Sequence, residues 1–251
     1  MPGRPAVAIF DVDGTILRSE SWPLFLKSVI RTYRRFVFAH AWLWVVQRFS
    51  RSKGMRAKRK QIDLAMRWIV SRLSADELAN VTDRFLDEVL RTQLRPGAID
   101  HLIQRRKAGD RIIFACSGFD FYVGPIAARL GGADVVATQT LNSVDGRILP
   151  RLDGLICTGG EKLRRVKALF ADSRRPPFIR AYSTDEADFA LLAWADAGTA
   201  VNPRANLADE AQALGLSVVD WSFGANDAPV RAPRMPVSPS ILPSEPSQQR
   251  E

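Results

Sequence analysis

Ala6-Val-Ala-Ile-Phe10 is a compact apolar run that reads as a buried strand and ends in Asp11-Val-Asp-Gly-Thr15. From Trp22 to Gln93 the spacing becomes helical, with Phe25, Val29, Tyr33 and Phe36 recurring on one face. Ser74-Ala-Asp-Glu77 is a capping-box pattern that predicts a helix start, the helix running to about Thr92. Pro96-Gly97 opens another helix, which reaches Ala108-Gly109. Beyond it the pattern alternates. Strands are predicted at 111–115, 134–138, 178–182, 199–202 and 217–220, and helices at 119–130, 161–170, 188–195 and 206–214. Alternation of this kind predicts an α/β fold, a Rossmann-like parallel sheet covered on both faces, with an inserted all-helical cap after the first strand. The expected division is a core over 1–20 and 94–222, a helical cap over 21–93, and a Pro-rich disordered tail over 223–251. Six prolines between Pro229 and Pro246 exclude regular structure from that tail.

Composition changes this picture in one place. The chain of 251 residues carries 36 Lys+Arg against 27 Asp+Glu, a formal charge of +9. The excess sits between Lys27 and Arg67, where twelve basic residues meet one acid, Asp63, so that this segment alone carries +11 and the remainder −2. Such a block points to a polyanion: nucleic acid, an anionic membrane surface or a phosphorylated substrate, unless it is only a solvated helical face. Within it, 36–46 is apolar on every side of a helix and is flanked by arginines, the composition of an interfacial anchor or of a cap core. The longest uncharged stretch, 36–47, would span about 18 Å as a helix, too short for a hydrocarbon core of about 30 Å. His40 is expected to pack inside the cap and His101 to lie on a surface helix. No base-stacking module accompanies the basic block, which disfavours nucleic acid. Two cysteines, Cys116 and Cys157, and no apolar leader fit a reducing, cytoplasmic setting, with peripheral contact to the inner membrane face as an option.

The candidate chemistry lies at the carboxyl end of the first strand, where open α/β sheets place ligands. Asp11 and Asp13, two residues apart and followed by Gly14, can share Mg²⁺, or one can act as nucleophile while the other handles protons. The plainer alternative is an acidic turn that caps the next helix.

The string Asp-Val-Asp-Gly-Thr-Ile, with a helical insertion directly after it, resembles the haloacid dehalogenase superfamily and its phosphoserine-phosphatase-like branch. The resemblance runs through residue 220 and implies a Mg²⁺-dependent phosphatase. Asp11 would form an aspartyl-phosphate and Asp13 would serve as acid and base, its backbone carbonyl also on Mg²⁺. The phosphate-binding hydroxyl of the second family motif falls by spacing on Cys116, with Ser117 one residue away and Gly118 following. Cys157-Thr-Gly-Gly-Glu161-Lys162 resembles the third motif as found in bacterial phosphatidylglycerophosphatase C-like members, which makes Lys162 the charge neutraliser and phosphate ligand. In the fourth motif Asp188 keeps an acid, Thr184 stands where a metal-binding Asp is usual, and Asp185 is adjacent. The implied metal set is therefore Asp11, Asp13, Asp185 and Asp188. The implied partner is a phosphorylated small molecule or a phospholipid headgroup, with an anionic membrane surface contacted through residues 27–67. Thr184 and Cys116 also leave open a catalytically weak domain that binds a phosphorylated ligand or partner.

Overall fold

Val7–Phe10 forms β1, and all four of its side chains are buried, as expected of a central parallel strand with both faces covered. The computed structural model describes residues 6–39, 41, 55–171, 178–203 and 205–224. After β1 come helices α1 (Ser21–Thr32), α2 (Met55–Trp68) and α3 (Ala75–Thr92), then α4 (Pro96–Lys107). Strand β2 (Arg111–Phe119), α5 (Asp120–Arg129), the β3–β4 pair (Asp134–Asn142, Ile148–Asp153) and α6 (Gly159–Ala168) follow. The chain continues through β5 (Ile179–Ser183), α7 (Phe189–Trp194), β6 (Ala197–Val201), α8 (Ala205–Ala213) and β7 (Ser217–Val219).

The seven strands make one sheet in the order β4-β3-β2-β1-β5-β6-β7. Every pairing is parallel except β3 with β4. Strand β4 is absent from the sequence reading and adds one antiparallel edge to the expected parallel sheet. Its sequence, Ile-Leu-Pro-Arg-Leu-Asp, holds a proline and buries only Ile148 and Leu152. Proline is tolerated there because β4 is an edge strand. Strand β2 also runs four residues beyond the expected Ala115, and its register against β3 shifts between Ala115 and Phe119.

Alternate side chains of β1 serve two apolar layers. Val7 and Ile9 join Ile113, Val166 and Leu191 on one face. Ala8 and Phe10 join Phe114 on the other, in a cluster that continues without a break into Phe25, Met66 and Phe85 of the insertion. Phe25 is the joint: its ring centroid lies 5.5 Å from Phe85 and 5.3 Å from Tyr122. The capping box is formed, with Glu77 N–H donating to Ser74 Oγ at 3.2 Å and Ser74 N–H to Glu77 Oε2 at 3.0 Å. Glu77 also accepts both terminal nitrogens of Arg35, at 2.7 and 2.6 Å, which pins the turn after α1 to the start of α3.

His101 is half-buried, not at the surface as expected. Its Nε2 lies 2.8 Å from the Tyr182 hydroxyl and its ring packs 5.2 Å from that of Trp221. Burial, then Arg105 and Arg180, hold its pKa down to about 4, so it is neutral and does no proton work near neutral pH. Most of the apolar run at 36–46, His40 included, and the expected tail beyond Gly224 lie outside the described residues. Of that run Phe36 is buried whereas Phe38 is 85% exposed. No helix among the described residues is long and apolar enough to cross a membrane.

Candidate active site

Strand β1 lies between β2 and β5, where the strand order reverses direction, so the connections on its two sides part and leave a crevice at its carboxyl end. Asp11 is the first residue past that end, and its N–H still donates to the Tyr182 carbonyl of β5 at 2.9 Å. Its carboxylate is almost fully buried. One oxygen accepts from Lys162 Nζ at 2.8 Å and the other from Thr15 Oγ1 at 3.1 Å. Lys162, on the first turn of α6, is 2% exposed and also reaches Asp188 Oδ2 at 2.5 Å. Ser183 Oγ donates to that same Asp188 oxygen at 2.7 Å.

Asp11, Lys162 and Asp188 therefore form a buried triad whose net charge is −1 when both carboxylates are ionised. Burial lifts the Asp11 carboxyl to about 7, with Lys162 pulling it down and Asp188 pushing it up. Burial lowers the Lys162 pKa, but the two aspartates outweigh it and hold it well above the usual lysine value. The lysine is thus a fixed cation in the site.

Asp13 shares a cavity of about 370 Å³ with Asp11, Ser117, Lys162 and Asp185. Its Oδ1 accepts the backbone N–H of Ser21, the first residue of α1, at 3.0 Å. The carboxylate therefore caps the helix, as the plainer reading had it, while also facing the cavity. Burial raises its pKa and the Ser21 hydrogen bonds oppose that rise, which favours a group that can carry a proton.

The second-motif residues separate. Cys116 is fully buried, and its Sγ accepts the Gly118 N–H at 3.1 Å. Burial, then Asp13 and Asp11, push its thiol pKa well up. Gly118 is packed so closely that an added Cβ would lie 2.8 Å from the Tyr122 hydroxyl. Of these three residues only Ser117 lines the cavity. Thr138 holds it there by donating to its carbonyl at 2.8 Å.

For a divalent cation, the hard oxygen donors of Asp11 and Asp13 meet in one cavity, and Asp188 Oδ1 is a buried acceptor with no hydrogen-bond partner. These groups fit Mg²⁺ held by few protein oxygens and completed by water and substrate. They do not make a ready cage. Among the described residues no group of three His, Cys, Asp or Glu side chains converges on one metal position. Thr184 supplies no carboxylate: its Oγ1 donates to the Val201 carbonyl, and its methyl covers Gly14, where an added Cβ would meet it at 2.7 Å. Asp185 lines the cavity, but its Oδ1 accepts Ala187 N–H at 3.0 Å. Asp188 stands behind Lys162.

The same cavity is lined by Arg18, Glu20, Lys58, Arg95 and Asn202, none of which the sequence reading singled out. Only the pairing of Leu17 with Leu94 brings Arg18 and Arg95 together, and no local pattern announces a pairing across that distance. A larger cleft of about 590 Å³ lies between β3, β4 and α6. Its charges are spent on one another, Glu161 binding both Arg164 and Arg165.

Comparison with known proteins agrees with this geometry. The family of haloacid dehalogenase-like hydrolases matches residues 8–193. Protein CicA of Caulobacter vibrioides is 29% identical over 199 residues, covering 78% of this chain and 86% of that protein. Histidinol-phosphatase of Neisseria meningitidis is 25% identical over 227 residues, 86% of this chain and 98% of the relative. A crystal structure of a protein of unknown function from Bordetella pertussis superposes with a TM-score of 0.74 at 25% identity, covering 87% of this chain and all of that one. A strand ending in two aspartates, a buried lysine between carboxylates and a match across most of the chain have one common explanation: the chain belongs to the haloacid dehalogenase-like hydrolase family.

Proposed function

We propose that the protein hydrolyses phosphomonoesters by way of a phosphoryl group carried on Asp11. The observation that carries this reading is the Asp11 carboxylate at the end of β1, hydrogen-bonded by Lys162 at 2.8 Å and facing a cavity shared with Asp13. In the first step an Asp11 oxygen forms a bond to phosphorus and the ester P–O bond breaks. Asp13, whose pKa burial raises, gives its proton to the leaving alcohol oxygen. In the second step Asp13 takes a proton from water, the water oxygen bonds to phosphorus, and the bond from phosphorus to Asp11 breaks to release orthophosphate. Lys162 offsets the negative charge of carboxylate and phosphoryl oxygens together. The Ser117 hydroxyl binds a phosphoryl oxygen, its backbone fixed by Thr138.

Asp11 and Asp13 would hold Mg²⁺, with Asp185 a further carboxylate on the cavity lining and Asp188 behind Lys162. When bound, the ion supplies neutralisation of phosphoryl charge. With Thr184 in the third carboxylate's place the grip should be weak. Thr184→Asp is expected to tighten Mg²⁺ binding by about tenfold, about 1.4 kcal/mol, measured by calorimetric titration of the metal alone. An unchanged affinity would show that residue 184 does not face the ion.

The reading is tested by quenching aryl phosphate hydrolysis in acid and mapping the protein by mass. The peptide containing Asp11 is expected to gain one phosphoryl group. Turnover without that adduct, in a quench fast enough to precede its hydrolysis, removes the covalent step. A lipid-linked phosphomonoester at an anionic membrane surface is the finer form of the proposal. It draws support from Phe38, 85% exposed in the basic insertion. A soluble phosphomonoester draws equal support from the cavity itself.

A further inference from the structure

Two arginines meet over the cavity where the helical insertion leaves the sheet and where it returns. The outgoing segment runs antiparallel to the incoming one. Leu17 pairs with Leu94, Arg18 N–H donates to the Gln93 carbonyl at 2.7 Å, and Arg95 N–H donates to the Ile16 carbonyl at 2.9 Å. Side by side, the two side chains are then fixed by the same device. Arg95 Nε donates to the Gly14 carbonyl at 2.9 Å and Arg18 Nε to the Leu94 carbonyl at 3.3 Å. Gly14 has φ +79°, a left-handed turn that glycine adopts without strain and that presents this carbonyl to Arg95. Each guanidinium is thus anchored through Nε, and both line the cavity that holds Asp11 and Asp13.

Neither arginine belongs to an ion pair among the described residues. Burial and the neighbouring Arg18 both depress the Arg95 pKa, and Asp220 opposes them. Of the acids on the same rim, Glu20 lies two residues beyond Arg18 and Asp185 and Glu186 follow β5, yet among the described residues none of them forms an ion pair with either arginine. Two like charges anchored side by side and turned toward one cavity are stabilised by an anion that takes donors from both, the planar fork being suited to a carboxylate or phosphate. The transferred phosphoryl group already has its cation in Lys162, fixed on the floor of the site by two carboxylates. The arginines stand on the hinge side, Arg18 exposed and Arg95 half-buried.

We infer that Arg18 and Arg95 form a second anion subsite, so that the substrate is a phosphomonoester bearing a further anionic group, a carboxylate or a second phosphate. The inference rests on the phosphatase reading for the word substrate, but its binding content can be measured apart from turnover. Non-hydrolysable probes serve: alkylphosphonates of increasing length, the same chains ending in a carboxylate, and the matching bisphosphonates, each titrated calorimetrically into the full chain. At one chain length or more, an anion-terminated probe is expected to bind at least tenfold tighter than its neutral counterpart. That advantage is expected to collapse in Arg18→Gln and Arg95→Gln and to return in part in Arg18→Lys. Which ending benefits identifies the second group. Equal affinity for charged and neutral probes at every length, or an advantage that survives both substitutions, overturns the subsite. Should Arg95→Gln fail to melt cooperatively, the exposed Arg18→Gln decides alone. A subsite that behaves as expected in a protein that hydrolyses no phosphomonoester would leave the inference standing and remove the phosphatase reading instead.

Discussion

Asp11→Asn is expected to lower kcat for an aryl phosphate by about 10⁴-fold or more, the scale seen when a catalytic nucleophile is removed. An amide has no anionic oxygen to attack phosphorus, so the loss should fall on kcat and not on KM. The fold should survive, for reasons visible in the triad. Asparagine keeps a carbonyl oxygen for Lys162, which donates to Asp11 at 2.8 Å, and its amide N–H can donate to the Thr15 hydroxyl oxygen on the other side, at 3.1 Å from Asp11. Lys162 keeps Asp188 at 2.5 Å, so the buried charge of the triad moves from −1 to zero. Burial also penalises the Asp11 charge, its carboxyl being lifted to about 7. The thermal midpoint of Asp11→Asn should therefore be no lower than that of the unaltered protein. Activity within tenfold of the unaltered protein would dismiss Asp11 as nucleophile. An inactive but strongly destabilised variant would leave the question to Asp13→Asn, expected to slow leaving-group departure while still forming the Asp11 adduct from an activated aryl ester.

Much of this arrangement was legible in the chain because it rests on short-range order. A buried parallel strand reads as four apolar residues in a row, and two carboxylates with a glycine behind them can stand only at its end. The capping box at Ser74 and the Pro96 start are local devices, and both formed where the spacing put them. What the chain concealed depends on pairing between distant segments. Strand β4 buries two residues in six and carries a proline, so it leaves no periodic signal, and only β3 makes it a strand. The choice between Cys116 and Ser117 turned on the register shift in β2, which no local spacing records. His101 looked like a surface residue because its neighbours Asp100 and Gln104 are polar. Its environment comes instead from Phe10, Tyr182 and Trp221. Arg18 and Arg95 are likewise ordinary until Leu17 meets Leu94.

These distant pairings also decide how the site uses its cations. Of the basic residues that flood the insertion, Arg31 and Arg35 are taken by Glu88 and Glu77, and Arg59 by Asp63. Surface pairs of this kind contribute little stability each. They do remove charge from circulation, so the +11 of the segment overstates what an anion would meet. The cations that line the cavity are Lys58 from α2, the two arginines Arg18 and Arg95, each held through its Nε, and Lys162 held by two aspartates. Net charge announced a polyanion, whereas position favours the phosphomonoester with a second anionic group that we propose as substrate.

Lys162→Met is expected to destabilise the protein by about 3–5 kcal/mol, the cost of breaking a buried pair by removing one partner. The lysine Nζ is the only cation within hydrogen-bond reach of Asp11 and Asp188 among the described residues, at 2.8 and 2.5 Å. Both carboxylates are buried, so its removal either strands two like charges in a low-dielectric floor or forces a proton onto Asp11, whose pKa Lys162 holds down. Methionine preserves most of the volume, which separates the charge effect from a cavity. A second substitution then isolates the cause. If the loss is electrostatic, Lys162→Met combined with Asp188→Asn should recover a large share of it, because Ser183 can still bond the asparagine carbonyl while one of the two stranded charges is gone. If the loss came from packing, the double variant would fall further than the single one, since Asp188 contributes its own hydrogen bonds. The cycle is read from urea unfolding midpoints with the slope checked for constancy. Turnover is expected to stay abolished in every arm, because the double variant regains a tolerable floor and not the cation that faces the phosphoryl group. A Lys162→Met variant as stable as the unaltered protein would mean that the two aspartates are not both charged in the fold, and the electrostatic account of the triad would fall with it.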